Sequence, residues 1–158
     1  MLYPSVKMPR NFIATGAAVL FAVLTVNGEA LAGPKITVLT GTTTELNGTV
    51  ETSAAGSGNA DPFVIETLSQ GNECLQILVT FQGADLEATL IAPDGRSWRD
   101  DDSAGGLRPR INAVTTKKGW HILRVSHFFG DAVNADFTVR ITRNAAAFCN
   151  PATPPVNT

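Results

Sequence analysis

Residues Ala84–Gly106 read ADLEATLIAPDGRSWRDDDSAGG, and the fold turns on this stretch. Leu86, Ala88 and Leu90 alternate with Asp85, Glu87 and Thr89, the period of two that a strand with one buried face displays. Pro93-Asp94-Gly95 follows as a turn: proline presets φ, aspartate bonds nearby backbone, and glycine accepts positive φ. Three consecutive aspartates, Asp100, Asp101 and Asp102, then run into Ser103 and a glycine pair. Strand, turn and polar loop in this order predict antiparallel β structure, with the acidity of the chain gathered in one loop.

The same period recurs on both sides of this stretch. Strands are expected at Lys35–Thr40, Leu46–Glu51, Pro62–Leu68, Cys74–Phe81, Asp85–Ala92, Leu107–Val114, Trp120–His127 and Asp136–Thr142. In the fourth of these Leu75, Ile77, Val79 and Phe81 are predicted to face inward. In the last, Phe137, Val139 and Ile141 do so, with Thr138, Arg140 and Thr142 outside. Gln70-Gly71-Asn72, Gln82-Gly83 and Lys117-Lys118-Gly119 read as turns. Pro109 confines the strand near it to a sheet edge or a late start. Beyond the N-terminal segment, no apolar set recurs at helical spacing for more than one turn. About eight short strands predict an all-β fold, an antiparallel β-sandwich or jelly roll.

The N-terminus stands apart. Lys7 and Arg10 precede the uncharged apolar run Phe12–Val26, and Ala30-Leu31-Ala32 supplies the small-x-small pattern of a cleavage site. That run of about 15 residues is short of the roughly 20 that cross a bilayer, so residues 1–32 are expected to be a cleaved signal peptide rather than an anchor. The expected organisation continues with N-terminal strands and a flexible loop (residues 33–61, including the small, polar Thr52–Ala60), a sandwich core (62–149) and a disordered tail (150–158). The product is expected to be exported, periplasmic or extracellular, with no membrane insertion after cleavage.

Setting aside Lys7, Arg10 and Glu29 leaves ten basic and thirteen acidic residues, a net charge of about −3. No basic stripe is present, which argues against nucleic acid and anionic membrane surfaces as partners. Cys74 and Cys149 are the two cysteines. In an exported chain they are expected to pair, closing a loop whose entropic stabilisation is about 4 kcal/mol in the chain-entropy model. Free or metal-binding thiols are the alternative, without a CxxC pattern or nearby histidine pair to support it.

Taken in order, Leu75–Phe81, Ala84–Leu90, Pro93-Asp94-Gly95, Asp100–Ser103, Ile111, Gly119, Leu123-Arg124-Val125 and Phe137–Ile141 resemble the bacterial pre-peptidase C-terminal domain. That family is a β-sandwich module attached to secreted peptidases and other exported proteins. The resemblance spans about Pro62 to Arg143 and implies a non-catalytic binding or supporting module. Family members usually ride on an enzyme, whereas here the module is expected to stand alone, so the activity of such partners is not implied for it.

Asp100, Asp101 and Asp102, with Asp85 and Asp94 from neighbouring segments, are the candidate metal ligands, since calcium takes six to eight oxygens. Some relatives in the resembled family bind calcium, mostly through flanking segments. Adjacent aspartates alternate in direction, so the competing reading is a solvated turn whose carboxylates accept backbone N–H bonds. Trp98, with Arg96 and Arg99 beside it, is expected at the surface as a contact for a polysaccharide or protein ligand, while Trp120 is expected in the core. One ring of Phe128-Phe129 is expected to enter the core, the other to form an exposed patch. His121 is predicted to face inward. His121 and His127, six residues apart on one strand, lie about 20 Å apart and cannot share a zinc ion.

No catalytic residues are assigned. Ser126, His127 and Asp131 have the residue types of a triad, but adjacent strand residues point to opposite faces. No G-x-S-x-G elbow, HExxH or glycine-rich phosphate loop occurs. Asn47-Gly48-Thr49 is formally a glycosylation sequon. The expected function is a non-catalytic secreted module for binding or structural support. The alternative is a calcium-dependent binder of carbohydrate or matrix protein, and a small secreted hydrolase comes last. The oligomeric state is not legible in the sequence.

Overall fold

The computed structural model describes residues 34–54 and 58–156. The expected signal peptide and the centre of the Thr52–Ala60 loop lie outside the described residues. Among the described residues, ten strands form two five-stranded sheets. The first sheet has the order β1 (Lys35–Ile36), β4 (Phe63–Gln70), β9 (Lys118–His127), β6 (Leu86–Ile91) and β7 (Ser97–Asp100). The second has the order β3 (Ala60–Asp61), β2 (Thr43–Thr52), β10 (Ala135–Ala145), β5 (Glu73–Gln82) and β8 (Arg110–Thr115). Strand pairs within the sheets are antiparallel except β1 beside β4.

The two strands beyond the expected eight are β3, only two residues long, and β7, the SWRD segment. The latter is hard to see in the sequence because Trp98 alone marks its inward face among charged neighbours. β8 begins at Arg110, just past Pro109, and forms the edge of its sheet, the position that a residue without an N–H tolerates.

The core lies between the sheets. Leu86, Ala88 and Leu90 interdigitate with Leu75, Ile77 and Val79 of β5, with Phe137, Val139 and Ile141 of β10, and with Leu123 and Val125 of β9; these side chains are buried. Phe81 is the exception: expected inside, it is 55% exposed. Val139 pairs with Val79 but Thr138 pairs with Phe81, so Thr80 is one extra residue on β5. This β-bulge reverses the alternation beyond it and sends Phe81 outward.

On β2 a glycine is required by packing. The rings of Phe63 and Phe137 meet edge to face with centroids 5.3 Å apart, and a Cβ on Gly48 would lie 2.6 Å from Phe137 Cζ and 3.1 Å from Phe63 Cε2. Gly48→Ala is therefore expected to destabilise the chain by about 1–3 kcal/mol through overpacking. A thermal melt checks this; an unchanged Tm would mean that the aromatic pair slides aside freely.

Cys74 and Cys149 form the expected disulfide. Beyond it the tail differs from expectation. Asn112 Nδ2 donates to the Pro151 carbonyl (2.9 Å), Asn112 N–H donates to Thr153 Oγ1 (2.9 Å), and Thr153 N–H returns to the Asn112 carbonyl (3.0 Å). Val156 N–H then reaches the Ser97 carbonyl at 2.8 Å. Residues 150–156 thus strap the open side of the sandwich from the β8 edge to the β7 edge. Prolines and small residues predicted a loose tail, but an edge strand offers unpaired backbone groups to whichever segment is tethered beside it. Among the described residues no helix is long and apolar enough to cross a membrane.

Candidate functional site

Antiparallel packing sorts the connections between strands into two ends. One end carries the β2–β4, β5–β6, β7–β8 and β9–β10 connections and is called here the loop end. The other carries the β4–β5, β6–β7 and β8–β9 turns. The acidic run belongs to the loop end. Asp100 Oδ2 accepts N–H bonds from Ser103 (3.1 Å) and Arg110 (2.7 Å), folding the loop back into β8. Gly105 N–H donates to the Asp102 carbonyl, and Arg108 Nη1 donates to the Thr80 carbonyl. Asp100, Asp101 and Asp102 can each place a carboxylate oxygen within 4.8 Å of the others. One Asp100 oxygen is already committed to backbone.

Asp85, just before β6, shares the loop end. Asp94 does not. It sits in the β6–β7 turn, at the far end of β7, a strand of four residues that spans about 10 Å. The Asp94 carboxylate is held by Arg96, whose Nε lies 3.1 Å away. Slight burial pushes its pKa up, but the Arg96 N–H bond and guanidinium charge outweigh this and hold it below the usual value. The five candidate carboxylates therefore do not gather around one point.

Trp98, Arg96 and Arg99 do not form a surface patch either. Trp98 is 1% exposed: it pairs with Leu90 and so shares the core-facing side of the sheet. Arg96 lies over its ring, 5.5 Å from the centroid, and reaches Thr116 at the turn end. Arg99 points outward and ion-pairs with Glu87, which also accepts a bond from Ser126 Oγ at 3.2 Å. Carrying the alternation of β6 across the Pro93-Asp94-Gly95 hairpin would have placed Trp98 inside. Trp120 is the mirror case. His121 is buried beside Thr67, so its neighbour Trp120 lies on the outer face, 39% exposed, with the Lys35 ammonium 5.3 Å from its ring centroid.

His121 faces inward as expected, with Nδ1 3.1 Å from the Gly119 carbonyl. A carbonyl only accepts, so Nδ1 carries the proton. Burial holds the pKa of this imidazole below its usual value and keeps it neutral, despite the opposing effect of the Gly119 bond. Ser126 is engaged with Glu87 on the outer face, which leaves the triad residue types unassembled.

The feature least visible in the sequence is the β9–β10 connection. Phe128 N–H donates to the Asp85 carbonyl (2.9 Å) and Gly130 N–H to the His127 carbonyl (3.0 Å). Ala60 N–H donates to Gly130, and Ala132 N–H to Gly58, both at 3.0 Å. These bonds hold an aromatic knuckle in which Phe128 and Phe129 meet edge to face at 5.0 Å, with His127 against Phe129 at 6.0 Å. Neither phenylalanine enters the core: Phe128 is 37% exposed and Phe129 70%. The bond to Asp85 draws the backbone outward before either ring can turn in. Asp85 and Asp131 adjoin the knuckle in sequence or hydrogen bonding, and the neighbouring loops add Asp61 and the acidic run.

The outer face of the second sheet is a ladder of satisfied polar pairs, including Thr43–Thr142, Glu45–Arg140, Asn47–Thr138 and Thr49–Asp136. Its hollows, of about 410 and 310 Å³, are shallow and lined by several of these paired residues, with the exposed Phe81 beside the first and Gln76 and Asn112 beside the second.

No family model and no curated protein matches this chain. Among solved structures, the periplasmic inhibitor of g-type lysozyme from Aeromonas hydrophila is similar, with a TM-score of 0.52 and 10% identity over 70% of this chain and 97% of that one. The likeness is one of fold. It agrees with the all-β sandwich built above and leaves function to the residues themselves.

Proposed function

We propose that this chain is an exported, non-catalytic binding module, of the kind the pre-peptidase C-terminal resemblance implies, and that it holds a protein partner at its loop end. The observation that carries this reading is the knuckle: the largely exposed ring of Phe129 braced by the partly exposed ring of Phe128, on a connection pinned by four backbone hydrogen bonds. Rigid, exposed aromatics contribute contact area at little entropic cost, which is how interface anchors work. The disulfide supports export to the periplasm or beyond. The solved structure of similar fold is itself an inhibitor of another protein, which supports a protein over a polysaccharide. Burial of Trp98 removes the contact, for polysaccharide or protein, that was expected at that residue.

A second reading, calcium-dependent binding through the same loop, is favoured by the proximity of the Asp100–Asp102 carboxylates. One experiment separates these readings. The exported chain is mixed with a g-type lysozyme on a sizing column, with calcium and with chelator, and is assayed alone on generic peptidase and esterase substrates. A complex in both buffers and no turnover is the expected result. A complex only with calcium would move the reading to the metal. Turnover would overturn it, and lysozyme eluting unaltered in both buffers would remove lysozyme as the partner.

A further inference from the structure

We infer that the loop end is a docking surface for a cationic protein, with Phe129 as its apolar anchor. This rests on the binding reading above and adds the chemistry of the partner. The net charge of about −3 beyond residue 32 conceals a separation that only the fold brings out. Eight of the thirteen acidic residues beyond residue 32 fall at the loop end: Glu51 and Asp61 around β3, Asp85 before β6, Asp100 at the end of β7 with Asp101 and Asp102 after it, and Asp131 and Asp136 around the start of β10. Arg108 and Arg110 are the bases on these loops; their guanidinium groups donate to backbone carbonyls, of Gly105 and Thr80 for the first and Ser103 for the second, but keep their charge, so eight acids against two bases leave about −6 at this end. At the turn end the balance reverses. Arg96, Lys117 and Lys118 stand against Asp94, because Glu73 is neutralised by the buried Arg143.

The molecule is therefore dipolar along its strands. Carboxylates spread over one end present a potential to an approaching partner, while any one of them alone is screened within about 8 Å at physiological salt. Such a field accelerates encounter with a positively charged surface. It repels nucleic acid, anionic lipid and the loop end of a second copy. The knuckle supplies what the field lacks, an apolar contact that slows dissociation once the partner is seated. Charge and anchor lie on the same loops: Phe128 is bonded to the residue that carries the Asp85 carboxylate, and Asp131 follows Gly130 directly.

The test uses the disulfide-intact exported chain and two 20-residue peptide probes, one of lysine and leucine, the other with glutamate in place of lysine. Binding kinetics are measured at low and high salt, and amide NMR shifts locate the contact. The lysine peptide is expected to bind about tenfold or more tighter than its glutamate counterpart at low salt, a preference that shrinks as salt rises. Shifts should concentrate at Asp85, Asp101, Phe129 and Gly130. The double substitution Asp101→Asn with Asp102→Asn should slow association, and Phe129→Ser should speed dissociation with association unchanged. Glu45→Gln, on the sheet face, should change neither.

Equal affinity for the two peptides, with Phe129→Ser still weakening both, would overturn the cationic partner while leaving the docking reading intact. Indifference to Phe129→Ser, or shifts confined to the sheet faces, would overturn both. Concentration-dependent self-association that is abolished by Lys117→Ala with Lys118→Ala would assign the acidic end to the turn end of a second copy, and would overturn the inference.

Discussion

Arg143→Met is expected to destabilise the folded chain by about 3–5 kcal/mol at neutral pH, the cost of stranding a buried charge whose partner has been removed. Arg143, on β10, and Glu73, at the start of β5, have side chains only 3% and 7% exposed. The guanidinium addresses the carboxylate through Nε at 3.1 and 3.2 Å and through Nη2 at 2.7 Å, and its remaining arm donates to the Val38 carbonyl. Glu73 also accepts from the Gln70 N–H at 2.7 Å. The pair thus joins the N-terminal segment, the β4–β5 turn and the last strand. Burial pushes the Glu73 pKa up, but the bonds from Arg143, Ser69 and Gln70 and the charge of Arg143 together hold it below the ordinary value.

The sign of the pH dependence follows. A carboxylate with a depressed folded pKa stabilises fully above its unfolded value, near 4.5, and that stabilisation is lost as pH falls through the folded value. His121, also depressed by burial, adds a loss that begins at higher pH, below its ordinary value of 6.5. In Arg143→Met the isolated Glu73 becomes easier to protonate, so the penalty measured by urea titration should shrink between pH 7 and pH 4. Adding Glu73→Leu should recover much of it at neutral pH. A penalty that is the same at both pH values would show that lost packing, not the stranded carboxylate, dominates.

What was legible in the sequence is what depends on near neighbours along the chain. Alternation named Leu86, Ala88 and Leu90, or Phe137, Val139 and Ile141, as core because each strand carries its own inside and outside. The parity of Phe81 was not legible, since one extra residue opposite a distant strand reverses it and leaves no local trace. The same holds for the tail, whose partners Asn112 and Ser97 lie dozens of residues away. The candidate site divides along this line. The acidity of Asp100–Asp102 was plain. That Asp94 lies at the opposite end, and that Asp85, Asp131 and the phenylalanine knuckle share the loop end, follows from sheet order alone. Trp98 and Trp120 could have been assigned from parity, but tryptophan beside arginines suggested a contact and tryptophan after a glycine suggested a core.

Trp98→Ala tests that exchange of roles directly, and a loss of about 3–5 kcal/mol is expected, the range for emptying a large buried aromatic site. The ring fills the space beside Leu90, and the Arg96 guanidinium closes over it. Urea unfolding should show the loss, and Trp98→Phe should recover part of it by refilling some of the volume. The folded fraction of Trp98→Ala should still bind the lysine peptide, since a buried ring does not reach the loop end. Phe129→Ser should behave in the opposite way: as a surface change it should leave stability within about 0.5 kcal/mol while weakening binding. If Trp98→Ala instead kept wild-type stability and lost binding, the buried placement would be wrong and the contact would return to Trp98 with Arg96 and Arg99. If both variants lost both properties, the knuckle would belong to the packing of the sandwich rather than to its recognition surface.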